Sequence, residues 1–94
     1  MRLSNKPQLM ATSALNRRAG IYLRLARRRK RMTQDQLGYA LQEMLGAKGI
    51  WSARVSEWEH GHDHVPAAIL MACYEISGVS LQRAMEAELD MESK

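Results

Sequence analysis

Residues 59–66 read EHGHDHVP and hold all three histidines of the chain, with Glu59 and Asp63 among them. Imidazole and carboxylate groups together make a zinc ligand set, and a zinc-bound water would make a hydrolase. The spacing argues against that chemistry. His60, His62 and His64 alternate by two, which splays them apart on a helix. A structural zinc site draws ligands from two segments, and a catalytic one needs a helical pair or a distant third ligand. No cysteine or second histidine group joins these three. The stretch reads instead as a helix end entering a turn, with Gly61 where one helix stops and Pro66 where the next starts.

Nothing else offers catalysis. Cys73, the one cysteine, falls in an apolar helical stretch and reads as a core residue. A single cysteine allows no intrachain disulfide, which suits a reducing compartment. No serine stands in a recognisable nucleophile context, and no glycine loop suits a phosphate. The expectation is a protein that is not an enzyme, with no metal, no cofactor and no small-molecule substrate.

Charge is the positive signal. Residues 1–31 carry ten Lys or Arg and no acid, while residues 32–94 carry four Lys or Arg against ten Asp or Glu. A basic half of this kind is an electrostatic footprint for a polyanion. The start of the chain lacks the apolar block of a signal peptide, and no apolar run approaches the roughly 20 residues needed to span a membrane. A cytoplasmic location and no membrane partner are expected.

The elements that must carry these residues are helical. The chain has 94 residues, five aromatics and no β-branched runs, so Leu, Ile, Met and Ala must fill a modest core. Residues 1–12 read as a flexible basic arm. From about Ser13 to Arg31 a helical period places Leu15, Ala19, Tyr22 and Ala26 on one face, with Ile21 and Leu25 beside them. The basic end, RRRKR at 27–31, suits the helix dipole.

Thr33 and Gln36 form a capping-box signature, with Met32 and Leu37 spaced as a hydrophobic staple. The second helix then buries Leu37, Ala40, Leu41, Met44 and Leu45, and Gly46 ends it. A short third helix begins at Ser52 as N-cap and turns Val55 and Trp58 inward, with Trp51 as an anchor. A fourth, opened by Pro66, carries Ile69, Leu70, Cys73, Tyr74 and Ile76 and is central. A fifth, capped by Ser80, has the stripe Leu81, Met85, Leu89. The prediction is an all-α, compact five-helix bundle.

This order of features, carried by LRLARRRKRMTQDQLGYAL, VSEWEHG and ILMACYEISGVSL, resembles the Cro/repressor-type (XRE-like) helix-turn-helix family of phage and bacterial regulators. The resemblance covers about residues 21–82 and implies a lambda-repressor-like arrangement. It divides the chain into the arm 1–12, a DNA-binding domain over 13–82, and an amphipathic helix or tail over 83–94 that offers a dimer contact. It implies an ion pair between Arg27 and Glu59, and a Gln34 that meets a phosphate and braces the third helix. It implies that the third helix, about 52–60, enters the major groove, which nominates Ser52, Ala53, Arg54, Ser56 and Glu57 as base readers. Their chemistry agrees: Arg54 can pair with guanine, Glu57 can accept from cytosine, and Ala53 can touch a thymine methyl.

Backbone contacts are expected from Thr33, Gln34, Arg17, Arg18, Arg28 and Arg31, and from His62 and His64. Two features depart from the family pattern. The connection between the second and third helices is longer than usual, and Gly38 stands where the family has alanine. The expected function is a sequence-specific double-stranded DNA-binding transcriptional regulator of repressor type. One short reading helix covers few base pairs, so a homodimer on a palindromic operator is expected. Two other functions fit the same features: a DNA-binding antitoxin whose acidic tail grips a basic toxin, and a helical adaptor for an acidic partner.

Overall fold

Four helices and a shorter fifth segment pack around one core in a computed structural model that describes residues 5–46, 48–49, 51–84 and 86, with side chains from Ser13 onward. Helix α1 spans Asn5–Arg29, α2 Gln34–Leu45, α3 Trp51–Glu59 and α4 Ala67–Ser77. A final segment, α5, is helical over 81–84 and at 86. The described residues form no strand, and the fold is all-α.

Helix α1 starts well before the expected Ser13, so residues 5–12 are helical where an arm was expected; residues 1–4 lie outside the described residues. Pro7 had suggested a break. It sits in the first turn, where its missing N–H has no intrahelical acceptor to lose. The helix closes with Arg31 in the left-handed region at φ 55°, Arg31 N–H donating to Arg28 O and Met32 N–H to Arg27 O. These two bonds are the Schellman closure normally built on glycine.

The capping box of α2 is complete. Gln36 N–H donates to Thr33 Oγ1 at 3.1 Å, and Thr33 N–H donates back to Gln36 Oε1 at 2.8 Å. Gly46, left-handed at φ 64°, ends the helix. Ser52, expected as the N-cap of α3, lies inside it, because the helix begins one residue earlier at Trp51. Pro66 is the cap residue of α4 rather than its first residue. Ser80 caps α5, accepting from Arg83 N–H at 3.1 Å.

The core comprises Tyr22, Leu23, Ala26, Leu37, Leu41, Val55, Trp58, Val65, Ile69, Ala72, Cys73 and Ala84. Leu23, not Leu25 or Leu15, is the buried leucine of α1. Tyr22 and Ala26 of the expected stripe are buried and Ala19 packs against the core, while Leu15 is exposed and the flanking buried residue is Leu23. Met44, Leu45 and Tyr74, expected inside, are exposed. Met85 and Leu89 of the expected stripe lie outside the described residues, as does most of the expected 83–94 unit. No described helix is long and apolar enough to cross a membrane.

Candidate nucleic-acid interface

Helix α3 is fixed from behind by a buried charge. Its last residue, Glu59, has a side chain only 1% exposed. Arg27 of α1 grips that carboxylate with both forks of its guanidinium, Nε to Oε2 at 2.6 Å and Nη2 to Oε1 at 2.9 Å. Gln34, the first residue of α2, donates to Oε1 at 3.1 Å. Arg24 stands 3.6 Å away. Arg27 Nη1 also donates to Met32 O at 3.0 Å, so the same guanidinium holds the α1–α2 corner. Three helices therefore meet at one carboxylate. Burial alone would raise the Glu59 pKa, but hydrogen bonds from Arg27 and Gln34 and the charges of Arg27 and Arg24 hold it below the ordinary value.

Two glycines let these helices close. A Cβ on Gly38 would come within 2.9 Å of the Trp51 carbonyl carbon and the Ser52 nitrogen. A Cβ on Gly20 would overlap the carbonyl oxygen of Trp58. The glycine at 38 thus has a cause: the backbone of α3 lies directly against α2 there. Val55 and Trp58 complete the inward face of α3, and Trp58 packs on Trp51 with ring centroids 5.9 Å apart.

The outward face of α3 carries the expected base readers. Ala53, Arg54 and Glu57 are exposed, and Ser52 and Ser56 are half-buried. The turn after α3 touches two of them. Arg54 Nη1 lies 4.0 Å from Asp63, and His62 Nδ1 lies 3.6 Å from Glu57. These pairs are more than half exposed, so each is weak and readily exchanged for another partner.

The histidines do not converge on a common point. His60 Nδ1 meets the Ser56 carbonyl at 2.8 Å, and its ring stacks on His62. His64 stands apart, its backbone N–H bound to Asp63. Among the described residues no group of three or more His, Cys, Asp or Glu could hold a metal ion. Gly61, left-handed at φ 73°, closes α3 and brings the turn against Arg17.

The basic residues divide into two lines along α1. Arg17, Arg24 and Arg28 follow at i, i+7 and i+11; Arg24 reaches Glu59 at the end of α3 and Arg17 meets Gly61 just after it, while Arg28 lines a groove with residues 78–84. Arg18 and Arg29, also eleven apart, are turned from that line by about 100°. Arg31 and Thr33 lie at the corner between α1 and α2, beside Gln34. Among the described residues no carboxylate pairs with Arg17, Arg18, Arg28, Arg29, Lys30 or Arg31. The structure thus sets Arg54, Glu57, Arg17 and the 61–64 turn around α3, with Arg28 and Arg18 on other parts of α1.

Sequence reasoning counted Arg24 among the arginines expected on the DNA backbone and missed that it reinforces the Glu59 junction; it also missed the contact between Arg54 and Asp63. The first could have been found from its spacing, since Arg24 and Arg27 share a face at i and i+3. No family model, curated protein or solved structure matches this chain.

Proposed function

We propose that the chain is a sequence-specific double-stranded DNA-binding transcriptional regulator of repressor type, built as a lambda-repressor-like helix-turn-helix. One observation carries the reading. Helix α3 presents Arg54 and Glu57 outward while its other side is anchored to α1 and α2 through a nearly fully buried ion pair. A helix that reads bases must be held at a fixed angle and depth, and must keep its polar outer face free.

On this reading α3 enters the major groove. Arg54 pairs with guanine and Glu57 accepts from cytosine, each worth roughly 1–3 kcal/mol of discrimination. Ser52, Ala53 and Ser56 make the shorter-range contacts. Thr33, Gln34, Arg17, Arg18, Arg28 and Arg31, with His62 and His64 in the turn, hold the phosphates. Gln34 can do so while bound to Glu59, because its amide nitrogen carries a second hydrogen to donate. A homodimer on a palindromic operator doubles the base pairs read, and the bacterial or phage-infected cytoplasm is where such DNA is met.

The test is selection of bound sequences from a random duplex pool. A palindromic motif is expected, and Arg54→Ala and Glu57→Gln should each relax preference at one symmetric position pair. A chain that recovers no motif, and whose duplex affinity is unmoved by either substitution, would sink the proposal.

A further inference from the structure

Helix α4 turns an apolar side to solvent. Of its eleven residues only Glu75 is charged, and its exposed residues are Ala67, Ala68, Met71, Tyr74 and Glu75. A helix that is apolar all round is one whose outer side is also covered. The bare surface continues onto its neighbours. Met44 and Leu45 from the end of α2, and Leu81 from α5, line one groove of about 770 Å³ with Met71 and Tyr74. These five side chains are 39–69% exposed. At about 200 Å² for a large side chain, they bare roughly 500 Å² together. An apolar patch of that size on a monomer marks an interaction site. It also matches the apolar part of one half of a standard interface, which buries about 800 Å² per partner with a little over half of it apolar.

The pattern on α4 is complementary to itself. Ala67 and Ala68 stand four and three positions before Met71, and Tyr74 and Glu75 stand three and four positions after it. A two-fold axis through Met71 lays a second α4 antiparallel to the first, as a closed symmetric dimer requires. Met71 then meets its own copy, and Tyr74 lies over the small Ala68 of the other chain. Charge follows the same symmetry. Lys48 lines a cleft with Leu45 and Ala68, so it stands at the Ala68 end of the face, while Glu75 stands at the opposite end. The axis brings Lys48 of each copy towards Glu75 of the other. Among the described residues neither has an oppositely charged partner in its own chain.

We propose that two copies of the chain join through this face, as an antiparallel pair of α4 helices centred on Met71. The proposal deepens the function given above, whose palindromic operator calls for a two-fold dimer, and rests on that reading for its purpose but not for its geometry. The surface differs from the contact that the family resemblance offers at 83–94.

The experiment uses the full chain without DNA. Sedimentation equilibrium should show a dimer at tens of micromolar. Met71→Glu places two carboxylates on the axis and should leave a monomer. Because dimerisation itself stabilises, its urea midpoint is compared with wild type where both are dilute and monomeric, and the two should agree. Glu75→Lys and Lys48→Glu should each weaken the dimer about fivefold, the most that an exposed pair contributes, and the double variant should restore it. A wild type that stays monomeric to millimolar concentration would overturn the proposal. So would a dimer that Met71→Glu leaves intact, a dilute urea midpoint that falls in Met71→Glu because the face is covered within its own chain, or a double charge variant weaker than either single one. A dimer that responds as expected but shows no duplex preference upholds the interface and refutes the DNA reading. A chain that selects a palindromic motif yet dimerises regardless of Met71→Glu keeps the DNA reading and loses this interface.

Discussion

Replacing Arg27 with alanine should be among the most damaging single changes outside the apolar core. The substitution removes two of the three hydrogen bonds that protein side chains make to the Glu59 carboxylate, at 2.6 and 2.9 Å, and leaves the bond from Gln34 and the more distant Arg24. The carboxylate stays where it was, 1% exposed. Breaking a buried ion pair in this way costs about 3–5 kcal/mol, mostly the desolvation of the charge left behind. Arg24 is 38% exposed and free to swing closer, which favours the lower end of that range. Against a total stability of about 5–15 kcal/mol for a domain, the loss is large. At about 4–8 °C per kcal/mol it lowers Tm by at least about 12 °C.

The pH dependence separates this cause from a general loosening. Glu59 is held below its ordinary pKa in the folded protein. A carboxylate with a depressed folded pKa contributes stability above its unfolded value and loses it as pH falls through the folded value. Wild type should therefore weaken on acidification, and Glu59→Gln should weaken less. In Arg27→Ala the balance reverses. Burial, the largest influence on Glu59, now acts with less opposition and raises its pKa. That variant's deficit against wild type should narrow as pH falls from 7 towards about 4, where protonation neutralises the stranded carboxylate. Urea unfolding followed by the emission of Trp51 and Trp58 measures both quantities. A cost below about 1 kcal/mol, the same at both pH values, would refute the reasoning, because an exposed pair behaves that way.

Other outcomes follow from single positions. Gly38→Ala should destabilise, although alanine favours a helix by about 1 kcal/mol, because its Cβ meets α3 backbone at 2.9 Å; a net gain in Tm would mean that the helices do not approach so closely. Cys73, whose thiol is pushed up to about 12 by burial and then by the charge of Glu59, should resist an aromatic disulfide reagent at pH 8 until urea unfolds the chain; rapid labelling of the native protein would contradict its burial. Arg31→Gly should leave stability unchanged or raise it by up to about 1 kcal/mol by relieving the left-handed residue, yet reduce the log–log salt slope of duplex binding by about 0.9. An unchanged slope would remove Arg31 from the phosphate contacts.

Local signals in the sequence placed most helix ends. Thr33 and Gln36 are a side-chain and backbone exchange that needs no tertiary partner, and Gly46 and Gly61 stop helices by accepting a left-handed conformation. Val55 and Trp58 were legible because a nine-residue helix has only one short inward stripe. The misses have tertiary causes. Leu15 and Leu25 fit the helical period as well as Leu23 does, and only the positions of α3 and α4 decide between them. Met44, Leu45 and Tyr74 are apolar at helical spacing yet exposed, since no described element covers them. The Arg27–Glu59 pair is 32 positions apart, beyond any local rule, and was reached through a family resemblance rather than from spacing. Gly20 did leave a trace: a glycine inside a helix costs about 1 kcal/mol and asks for a reason, which is the backbone of Trp58 and Glu59.

The two glycine contacts and the buried carboxylate serve one geometrical end. Gly20 lets α1 meet the last turn of α3, Gly38 lets α2 meet its first turn, and Glu59 joins both neighbours at its end. A nine-residue helix alone is far too short to be stable in water. Its persistence and its orientation both come from these contacts, all of which act on its inner side. The outer side is left to Arg54 and Glu57, whose contacts with Asp63 and His62 are exposed and weak. Under the proposed function, weak pairs suit residues that must let go. A charge already committed to a buried partner could not exchange it for a base edge without a cost of several kcal/mol, whereas an exposed pair gives up at most about 1 kcal/mol. The two glutamates of α3 differ accordingly: Glu59 is buried and fixed by Arg27, whereas Glu57, two residues earlier, is exposed and only weakly held.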